Sequence, residues 1–329
     1  MPQIKPQIQT FAKIKVVGVG GGGCNAVTRM SEASIKGVEF IAINTDTQDL
    51  HYTQAKQKIN IGKNLTRGLG TGMNPELGEQ SAEENREEIA EALKGTDMVF
   101  ITAGFGGGTG SGASPVIAEI AKQVGALCIG VVTKPFSFEG AQRARIAEEA
   151  LVKFKDRVDA LITIPNDRIF NIIEKDTPLI KAFETIDDVL RHSVQGIAEI
   201  VAAPGIINVD FADVKAVLSE SGPAIVGIGI SSGEDRHITA AKLAIQSPLI
   251  ELSIDGARGM LFSVAGGKDL KMSEIQEAAK IITESIDSNA KVIFGAYHDR
   301  KLRKGFLKVT VIAAGFSNLG FMKSSTFPT

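Results

Sequence analysis

The chain has 329 residues, 43% of them hydrophobic, and at about 150 residues per domain this length predicts about two globular domains. Its formal net charge is -2, without the run of Lys or Arg expected of a nucleic-acid or membrane partner. The two cysteines, Cys24 and Cys128, suit neither a disulfide framework nor a metal site, and no apolar stretch reaches the roughly 20 residues of a membrane span. Composition therefore argues against nucleic-acid binding and direct membrane insertion, and it favours a cytosolic protein.

The first half of the sequence alternates short apolar strands with helices. Strands are predicted at residues 13–20, 38–44, 98–103, 127–133 and 160–165. Helices are predicted from residue 25, at 81–93 and at 115–124, where Pro115 suits a first turn. This alternation is typical of a parallel sheet covered by helices on both faces. We therefore predict a doubly wound α/β domain over residues 12–176.

Residues 177–203 predict one long buried helix. Apolar side chains recur there at steps of three and four residues, namely Leu179, Phe183, Ile186, Leu190, Val194, Ile197 and Val201. Pro178 suits the first turn of this helix, and Pro204 with Gly205 ends it.

Residues 204–318 alternate less regularly and predict a smaller α+β domain. Strands are predicted at 224–231, 260–265, 292–297 and 307–313, and helices at 237–249 and 272–286. Ser273 and Gln276 have the spacing of a capping box at the start of the second helix. The segments 1–11 and 319–329 are predicted to be frayed tails.

A glycine run, Gly18-Val-Gly20-Gly-Gly-Gly23, follows the first predicted strand and opens a helix. It satisfies the GxGxxG fingerprint of a dinucleotide loop in its required context. The alternative is a tight strand-to-helix turn without a ligand. Four consecutive glycines cost backbone entropy and add no packing, so a backbone that approaches a phosphate explains them better.

A second glycine-rich loop, GFGGGTGSG at residues 104–112, also follows a strand and precedes a helix. Backbone N–H groups at a helix N-terminus bind anions, and Thr109 and Ser111 add hydroxyl donors. Hydrogen bonds to charged groups contribute about 1.5 to 3 kcal/mol each, so several of them can hold a triphosphate without a lysine. Neither loop has the GxxxxGK[ST] pattern of P-loop enzymes, which excludes that class of NTPase.

The second loop resembles the signature GGGTG[ST]G of the tubulin/FtsZ superfamily. Further segments resemble the FtsZ family in the same order, namely GVGGGGCNAV, FIAINTD, GVVTKPFSFEG, LITIPNDR and NVDFADV, so that the resemblance covers residues 12–318. KPFSFEG and NVDFADV favour this family over tubulins and plasmid-segregation relatives. The resemblance implies a GTP-binding α/β domain at 12–176, a central helix at 177–203 and an α+β domain at 204–318.

The resemblance also implies a site for GTP or GDP with Mg²⁺, the metal being held mainly by the phosphates. Phosphate contacts would come from Gly20, Gly21, Gly22, Gly23, Cys24, Asn25, Gly104, Gly106, Gly107, Gly108, Thr109, Gly110 and Ser111. Asn44 and Asp46 would line the magnesium side, and Thr71 lies in the loop that senses the γ-phosphate. The remaining contacts would be Thr133, Pro135, Glu139, Arg143, Asn166, Phe183 and Asp187. For Cys24, the backbone and not the thiol is expected to meet phosphate.

Two of these pairs also have simpler interpretations. Glu139 and Arg143 can meet the ribose, as the family implies, or form a surface ion pair one helical turn apart. Phe183 can stack on the base or pack into the core. Asp187 can accept hydrogen bonds from N1 and N2 of guanine, and a buried carboxylate without partners would be costly. A carboxylate acceptor favours guanine over adenine.

No obvious general base lies within the glycine loops, and the best acidic cluster contains Asn208, Asp210 and Asp213, after the long helix. A helix of about 25 residues spans roughly 37 Å, so this cluster cannot reach a nucleotide bound near the start of the helix. The resemblance implies that it acts in trans after head-to-tail stacking, where the two carboxylates orient the attacking water in the neighbouring subunit. Heterologous contacts that do not close form filaments. Alternatively, Asp210 or Asp213 simply caps the next helix.

The family then implies a GTPase of bacterial cell division that hydrolyses GTP at the interfaces of its own filaments. Expected partners are other copies of the chain, division-site regulators and membrane tethers, and the expected location is a cytoplasmic mid-cell ring. The sequence ends at Thr329 without the polar linker and terminal peptide that bind the tethers. The expectation is therefore that the chain is truncated or that tethering uses another segment.

The segment 68–75 departs from the family's GLGAGGNP loop, with Thr71 for Ala and Met73 for Gly. A methionine at a position that needs positive φ would be strained and would alter nucleotide sensing. One alternative is therefore a GTP-binding filament protein with little hydrolysis. Another is an NAD-dependent oxidoreductase with Asp46 as its ribose acid, which leaves GGGTGSG unexplained.

Overall fold

The computed structural model describes residues 12–35, 37–174, 176–202, 206–246, 254, 256–299 and 302–316. Its strands are β1 (Ile14–Val19), β2 (Val38–Asn44), β3 (Gln57–Asn60), β4 (Met98–Gly104), β5 (Leu127–Lys134), β6 (Ala160–Pro165), β7 (Gly222–Ser232), β8 (Gly259–Gly266), β9 (Lys291–His298) and β10 (Phe306–Ala314). Its helices are α1 (Gly20–Glu32), α2 (Thr47–Tyr52), α3 (Lys63–Thr66), α4 (Pro75–Glu84), α5 (Arg86–Leu93), α6 (Thr109–Gln123), α7 (Ala141–Lys155), α8 (Leu179–Ala202), α9 (Phe211–Leu218), α10 (Arg236–Ile245) and α11 (Met272–Thr283). Short 3-10 helices lie at Ser137–Glu139 and Asn166–Asn171.

One sheet runs through the described residues, with ten strands in the order β3-β2-β1-β4-β5-β6-β7-β10-β8-β9. The strands from β3 to β6 are parallel, because helices carry the chain back between them. Strand β10 runs antiparallel to β7 and β8, and β9 is parallel to β8. The predicted doubly wound parallel sheet followed by a smaller α+β part is confirmed.

The order of the parallel strands reverses between β1 and β4. Open α/β sheets bind their ligands at such a switch point, beyond the carboxyl ends of the strands. The chain leaves β1 into the first glycine run and leaves β4 into the second glycine-rich loop. The topology therefore brings the two predicted phosphate loops to one place.

Helix α8 links the parallel strands to the C-terminal strands. Its buried residues Leu190, Val194 and Ile197 share one core cluster with Phe100 of β4 and Ile312 of β10. The two groups of strands otherwise join at β6 and β7, where two residue pairs are in register. The helix confirms the predicted stripe of buried residues in its middle, whereas the exact domain limits at 176 and 203 stay predictions.

Several predicted boundaries differ from the structure. The predicted helix at 81–93 is divided at Asn85 into α4 and α5, and β3 was not predicted. Helix α6 begins at Thr109, so Pro115 lies inside the helix and not in its first turn. Helix α4 packs closely against the start of α6, which explains why α6 begins early. A Cβ added to Gly78 of α4 would lie 3.2 Å from the Thr109 Cα of α6.

The capping box predicted at Ser273 and Gln276 is wrong. Helix α11 starts after Lys271, whose backbone N–H donates to the Glu274 carboxylate at 2.9 Å. The same carboxylate pairs with the buried Arg236 of α10, which fixes its position. The predicted stop at 204–205, the predicted tails and the end of the helix predicted at 237–249 lie outside the described residues.

Membrane insertion has no candidate segment in the described ranges. None of the helices there combines the length and hydropathy that crossing a bilayer requires.

Candidate nucleotide-binding site

The two glycine-rich loops contact each other backbone to backbone beyond β1 and β4. Gly20 has φ 69°, and a Cβ on it would lie 2.9 Å from the Gly110 nitrogen. A Cβ on Gly110 would lie 2.7 Å from the Gly104 oxygen, and one on Gly22 would lie 3.3 Å from the Gly104 Cα. Larger side chains at Gly20 and Gly110 would separate the loops, so glycine is required by packing at these positions.

Two helices begin at this contact without a side chain that caps them. Helix α1 starts at Gly20 and α6 at Thr109, and the residue before each start makes no side-chain capping bond. Neither first turn contains an acidic residue. Gly21, Gly22 and Asn25 are exposed. The first-turn N–H groups and the positive dipole end of α1 are therefore open to an anion, whereas the first turn of α6 is uncapped but buried.

The hydroxyl groups of the second loop have protein partners as well. Ser111 Oγ accepts a hydrogen bond from the Gly106 N–H at 3.0 Å, which folds the loop back on itself. Thr109 Oγ1 lies 2.7 Å from Thr45 Oγ1 and 3.3 Å from Thr71 Oγ1. Because Thr71 belongs to the predicted sensing loop, the structure joins that loop directly to the start of α6.

The Cys24 thiol points into the core beside Ala42 and Leu50. Burial raises the pKa of this thiol to about 12, so it stays protonated and unreactive. This orientation agrees with the expectation that only the backbone of Cys24 can meet phosphate.

An acidic pair flanks the first loop. Asp46 caps α2 by accepting from the backbone N–H groups of Gln48 and Asp49, and Asn44 Nδ2 donates to Asp49 Oδ2 at 2.7 Å. A Cβ on Gly21 would lie 3.3 Å from Asp49 Oδ2, so this carboxylate reaches the phosphate loop. Burial, and next the charge of Asp46, raise the pKa of Asp49. Sequence reasoning missed Asp49, whose position three residues after Asp46 on a helix was the available signal.

The loop that precedes α4 has an unusual backbone. Gly68, Gly70 and Gly72 have φ values of 79°, 80° and 57°, and Met73 has φ 65°. Met73 therefore meets the condition named above, a positive φ at a residue that carries a Cβ. Left-handed backbone costs a residue with a Cβ about 1 kcal/mol or more, so the loop carries strain at Met73.

The ends of β5 and β6 bring further predicted residues to the second loop. A Cβ on Gly106 would lie 3.2 Å from Pro135 Cγ and 3.0 Å from the Arg143 oxygen, and one on Gly104 would lie 3.6 Å from Thr133 Oγ1. Arg143 Nη1 donates to Glu139 Oε2 at 3.1 Å. The ion pair between Glu139 and Arg143, which was the simpler of the two interpretations of these residues, is therefore present.

Asn166 follows β6 and is only 7% exposed. Its Oδ1 has no hydrogen-bond partner, although buried polar atoms are nearly always paired. The carboxyl ends of parallel strands share one edge of the sheet, so this unpaired acceptor lies at the same edge as the glycine loops and suits a donor from outside the chain, such as a ribose hydroxyl.

Phe183 and Asp187 lie one turn apart on α8. The Phe183 side chain is 42% exposed and its ring meets Phe136 edge to face at 5.5 Å, so core packing is only part of its role. Sequence reasoning gave Asp187 no partner within the protein. The structure gives it one, because Arg29 Nε donates to its Oδ2 at 2.8 Å. Burial raises the pKa of Asp187 to about 6, against the lowering effect of Arg29.

The C-terminal half of α8 separates Asp187 from the acidic cluster. From Asp187 the helix continues for 15 residues to Ala202, a rise of about 22 Å, and Asn208 follows beyond its end. Asp210 caps α9 by accepting from the Ala212 N–H at 3.2 Å, and Asp213 lies in the first turn of that helix. The capping interpretation of Asp210 is therefore observed within one subunit.

Metal-ligand clusters are absent from the described ranges: no three His, Cys, Asp or Glu side chains gather closely enough to hold an ion. Asp46 and Asp49 supply oxygen atoms beside the phosphate loop, which are the ligands Mg²⁺ prefers alongside phosphate.

Comparison with known proteins agrees with this geometry. Residues 13–174 match the GTPase domain of the tubulin/FtsZ family, and residues 222–317 match the C-terminal domain of the FtsZ family. An empty FtsZ dimer from M. jannaschii is 47% identical, with a TM-score of 0.88, over 93% of this chain and 89% of that one. The chain belongs to the FtsZ family. The matched GTPase domain contains both glycine loops, the acidic pair and Asn166.

More distant proteins share the FtsZ fold. CetZ2 from Haloferax volcanii, solved as a GTPγS-bound protofilament, is 22% identical with a TM-score of 0.80, over 93% of this chain and 94% of that one. CetZ1 from the same organism, a GDP-bound monomer, is 23% identical with a TM-score of 0.81, over 93% and 95% of the two chains. At this identity the likeness shows the fold alone.

Proposed function

We propose that this FtsZ-family chain is a GTP-dependent, self-assembling GTPase of bacterial cell division. The observation that carries the proposal is the separation along α8. Asp187, tied to α1 by Arg29, lies 15 residues before the end of α8, a rise of about 22 Å, and Asn208, Asp210 and Asp213 follow beyond that end. A single subunit then holds two incomplete halves of an active site, and a head-to-tail neighbour completes each half.

The phosphates would bind at the starts of α1 and α6, where backbone N–H groups have no capping side chain. Asn166 would accept from the ribose, and Glu139 and Arg143 would exchange part of their ion pair for sugar contacts. Phe183 would stack on the base while Asp187 accepts from its N–H donors. Mg²⁺, beside Asp46 and Asp49, would supply positive charge that offsets the phosphate charge.

Asp210 and Asp213 would orient water against the γ-phosphate of the neighbouring subunit. Capping of α9 does not prevent this role, because the capping bond uses only Oδ1 of Asp210 and holds its carboxylate in a fixed direction. Self-association is supported by an FtsZ relative from M. jannaschii that was solved as a dimer.

The proposal is tested with GTP and Mg²⁺. Purified protein should form sedimentable polymers, and phosphate release per molecule should rise above a critical concentration. Asp213→Ala should bind GTP with unchanged affinity and lose most of its turnover. Unchanged turnover in this variant would remove the trans-acting role, and equal activity with ATP would remove Asp187 as the base reader.

Mixing two inactive variants tests whether the site is shared. A Cβ at Gly107 would meet no atom within 4 Å, so Gly107→Asp should fold and repel phosphate through its charge, with Gly107→Asn as the neutral control. Gly107→Asp keeps Asp210 and Asp213, and Asp213→Ala keeps its phosphate site. Mixtures should regain turnover at new mixed interfaces, and no recovery at any ratio would contradict a shared site.

Two observations favour the second candidate, a GTP-binding filament protein with little hydrolysis. Thr71 bonds to Thr109, and Met73 has a left-handed backbone, so the sensing loop differs from the family pattern. Polymers that form with GTP and persist without phosphate release would favour this candidate. The division role predicts a mid-cell ring, which a fluorescent fusion in dividing cells would reveal.

A further inference from the structure

An arginine on α1 ties the phosphate end of the candidate site to the base end. Arg29 lies nine residues after Gly20, so α1 runs about 13 Å from the first glycine loop to this side chain. Its Nε donates to Asp187 Oδ2 at 2.8 Å, and its Nη2 lies 3.5 Å from Glu184 Oε1. Both partners belong to α8, one turn apart.

Only one oxygen of Asp187 is used in this contact. Within the described part of the chain, Oδ2 takes the Arg29 bond while Oδ1 accepts no hydrogen bond. A carboxylate oxygen has two lone pairs, so Oδ1 can accept from two donors on one edge of a base. The Asp187 side chain is 16% exposed, which leaves a path for that approach.

We propose that Arg29 is the positioning residue for guanine recognition: it holds the Asp187 carboxylate ionised and turned so that Oδ1 faces the N1–H and N2–H donors. This inference rests on the proposed function, because it assigns a partner to the proposed base-reading residue.

The surroundings of Asp187 make this arginine necessary. The carboxylates of Glu184 and Asp188 on the same helix disfavour a negative charge on Asp187. The positive charge of Arg29, on α1, favours it. Burial raises the pKa of Asp187 to about 6 even with Arg29 present. A neutral residue at position 29 would leave part of the carboxyl protonated at pH 7, and a protonated carboxyl is a poorer acceptor for guanine.

The experiment measures equilibrium affinities for GTP and ITP, which differ only by the 2-amino group. Their ratio reports base recognition, and titration of the shared triphosphate cancels from it. The variants are Arg29→Gln and Arg29→Lys, with Arg145→Gln as matched control. Arg145 makes a bond of the same type and length, Nε to the Glu149 carboxylate at 2.8 Å, on the exposed face of α7.

Arg29→Gln should lower the GTP/ITP ratio about two- to tenfold at pH 7, the range expected if the carboxyl pKa rises by one to two units. The ratio should recover by about pH 8.5, where the carboxyl is ionised again. In the wild-type protein the ratio should fall only as the pH drops through about 6. Arg29→Lys should keep the wild-type profile because it keeps the charge, and Arg145→Gln should change nothing.

A purely structural tie between α1 and α8 predicts something else. Arg29→Gln would then lower the affinity for GTP and ITP equally and at every pH, and this result would overturn the inference. An unchanged ratio and profile would overturn it as well. Failure of the proposed function is distinct, because the wild-type protein would then bind GTP no better than ATP.

Discussion

Thr71 Oγ1 lies 3.3 Å from Thr109 Oγ1, so a side chain of the loop before α4 contacts the first residue of α6. Thr109 in turn bonds to Thr45 at the end of β2. The three hydroxyl groups join three separate loops around the place proposed for the phosphates.

Thr71→Ala should loosen the loop at residues 68–74 when the γ-phosphate is absent. The lost hydroxyl bond contributes about 1 kcal/mol, so amide hydrogen exchange in this loop should rise about fivefold in the GDP-bound protein. The GTP-bound protein should change less, because the γ-phosphate then holds the loop. Equal exchange in variant and wild type would show that Thr71 does not hold the loop in solution.

Met73 gives a direct test of backbone strain. At φ 65° the Gly variant should be more stable than the Ala variant by about 1 kcal/mol, because only glycine adopts the left-handed region freely. The measurement is the urea midpoint of Met73→Gly against Met73→Ala. Val152, exposed inside α7, is the control site, where Ala should be the more stable by about 1 kcal/mol. The same order at both sites would contradict a strained Met73.

Asn166→Ala should affect nucleotide affinity more than stability. The Oδ1 atom has no hydrogen-bond partner within the protein, so its removal breaks no hydrogen bond. Nucleotide binding should weaken about tenfold, as loss of a buried hydrogen bond to the sugar would cause. Thr310→Val removes another unpaired buried oxygen in β10 and should leave affinity unchanged. Similar affinity in both variants would exclude a sugar contact at Asn166.

His192 on α8 predicts acid sensitivity of the fold. Burial, and then the charge of Arg191, lower the pKa of His192 to about 4. The unfolded chain therefore binds the proton more readily, and stability should be lost as the pH falls from about 6.5 to about 4, by on the order of 1–3 kcal/mol. His192→Gln should flatten this part of the stability profile in urea titrations. An unchanged slope would place the acid sensitivity elsewhere.

The sequence was sufficient to predict β1, β2, β4, β5, β6 and both glycine loops, because buried strands and glycine runs leave local patterns, but it did not predict the short parallel strand β3. It misplaced the start of α6, since glycines are poor helix formers and only packing against α4 favours a helix from Thr109. The partner of Asp187 could not be predicted either. Arg29 lies 158 residues earlier in the chain and carries no local signal of the contact.

In the candidate site, too, some residues could be predicted from the sequence and others could not. Residues of the family motifs that meet at the switch point, such as Gly20 and Gly110, could be named from sequence and are indeed in contact. The unpaired oxygen of Asn166 required three-dimensional coordinates, because no sequence pattern states its surroundings, whereas the spacing of Asp49 from Asp46 was a signal that sequence reasoning missed.

Because α8 separates the two half-sites of one subunit, the proposed shared site fixes how many complete sites a filament contains. If each interface joins the glycine loops of one subunit to Asp210 and Asp213 of the next, an open filament always has one fewer complete site than it has subunits. The terminal subunit whose loops face solvent keeps its nucleotide intact, so the two ends differ chemically. Breaking a filament then abolishes one working site at each cut, and turnover per subunit becomes a measure of mean filament length.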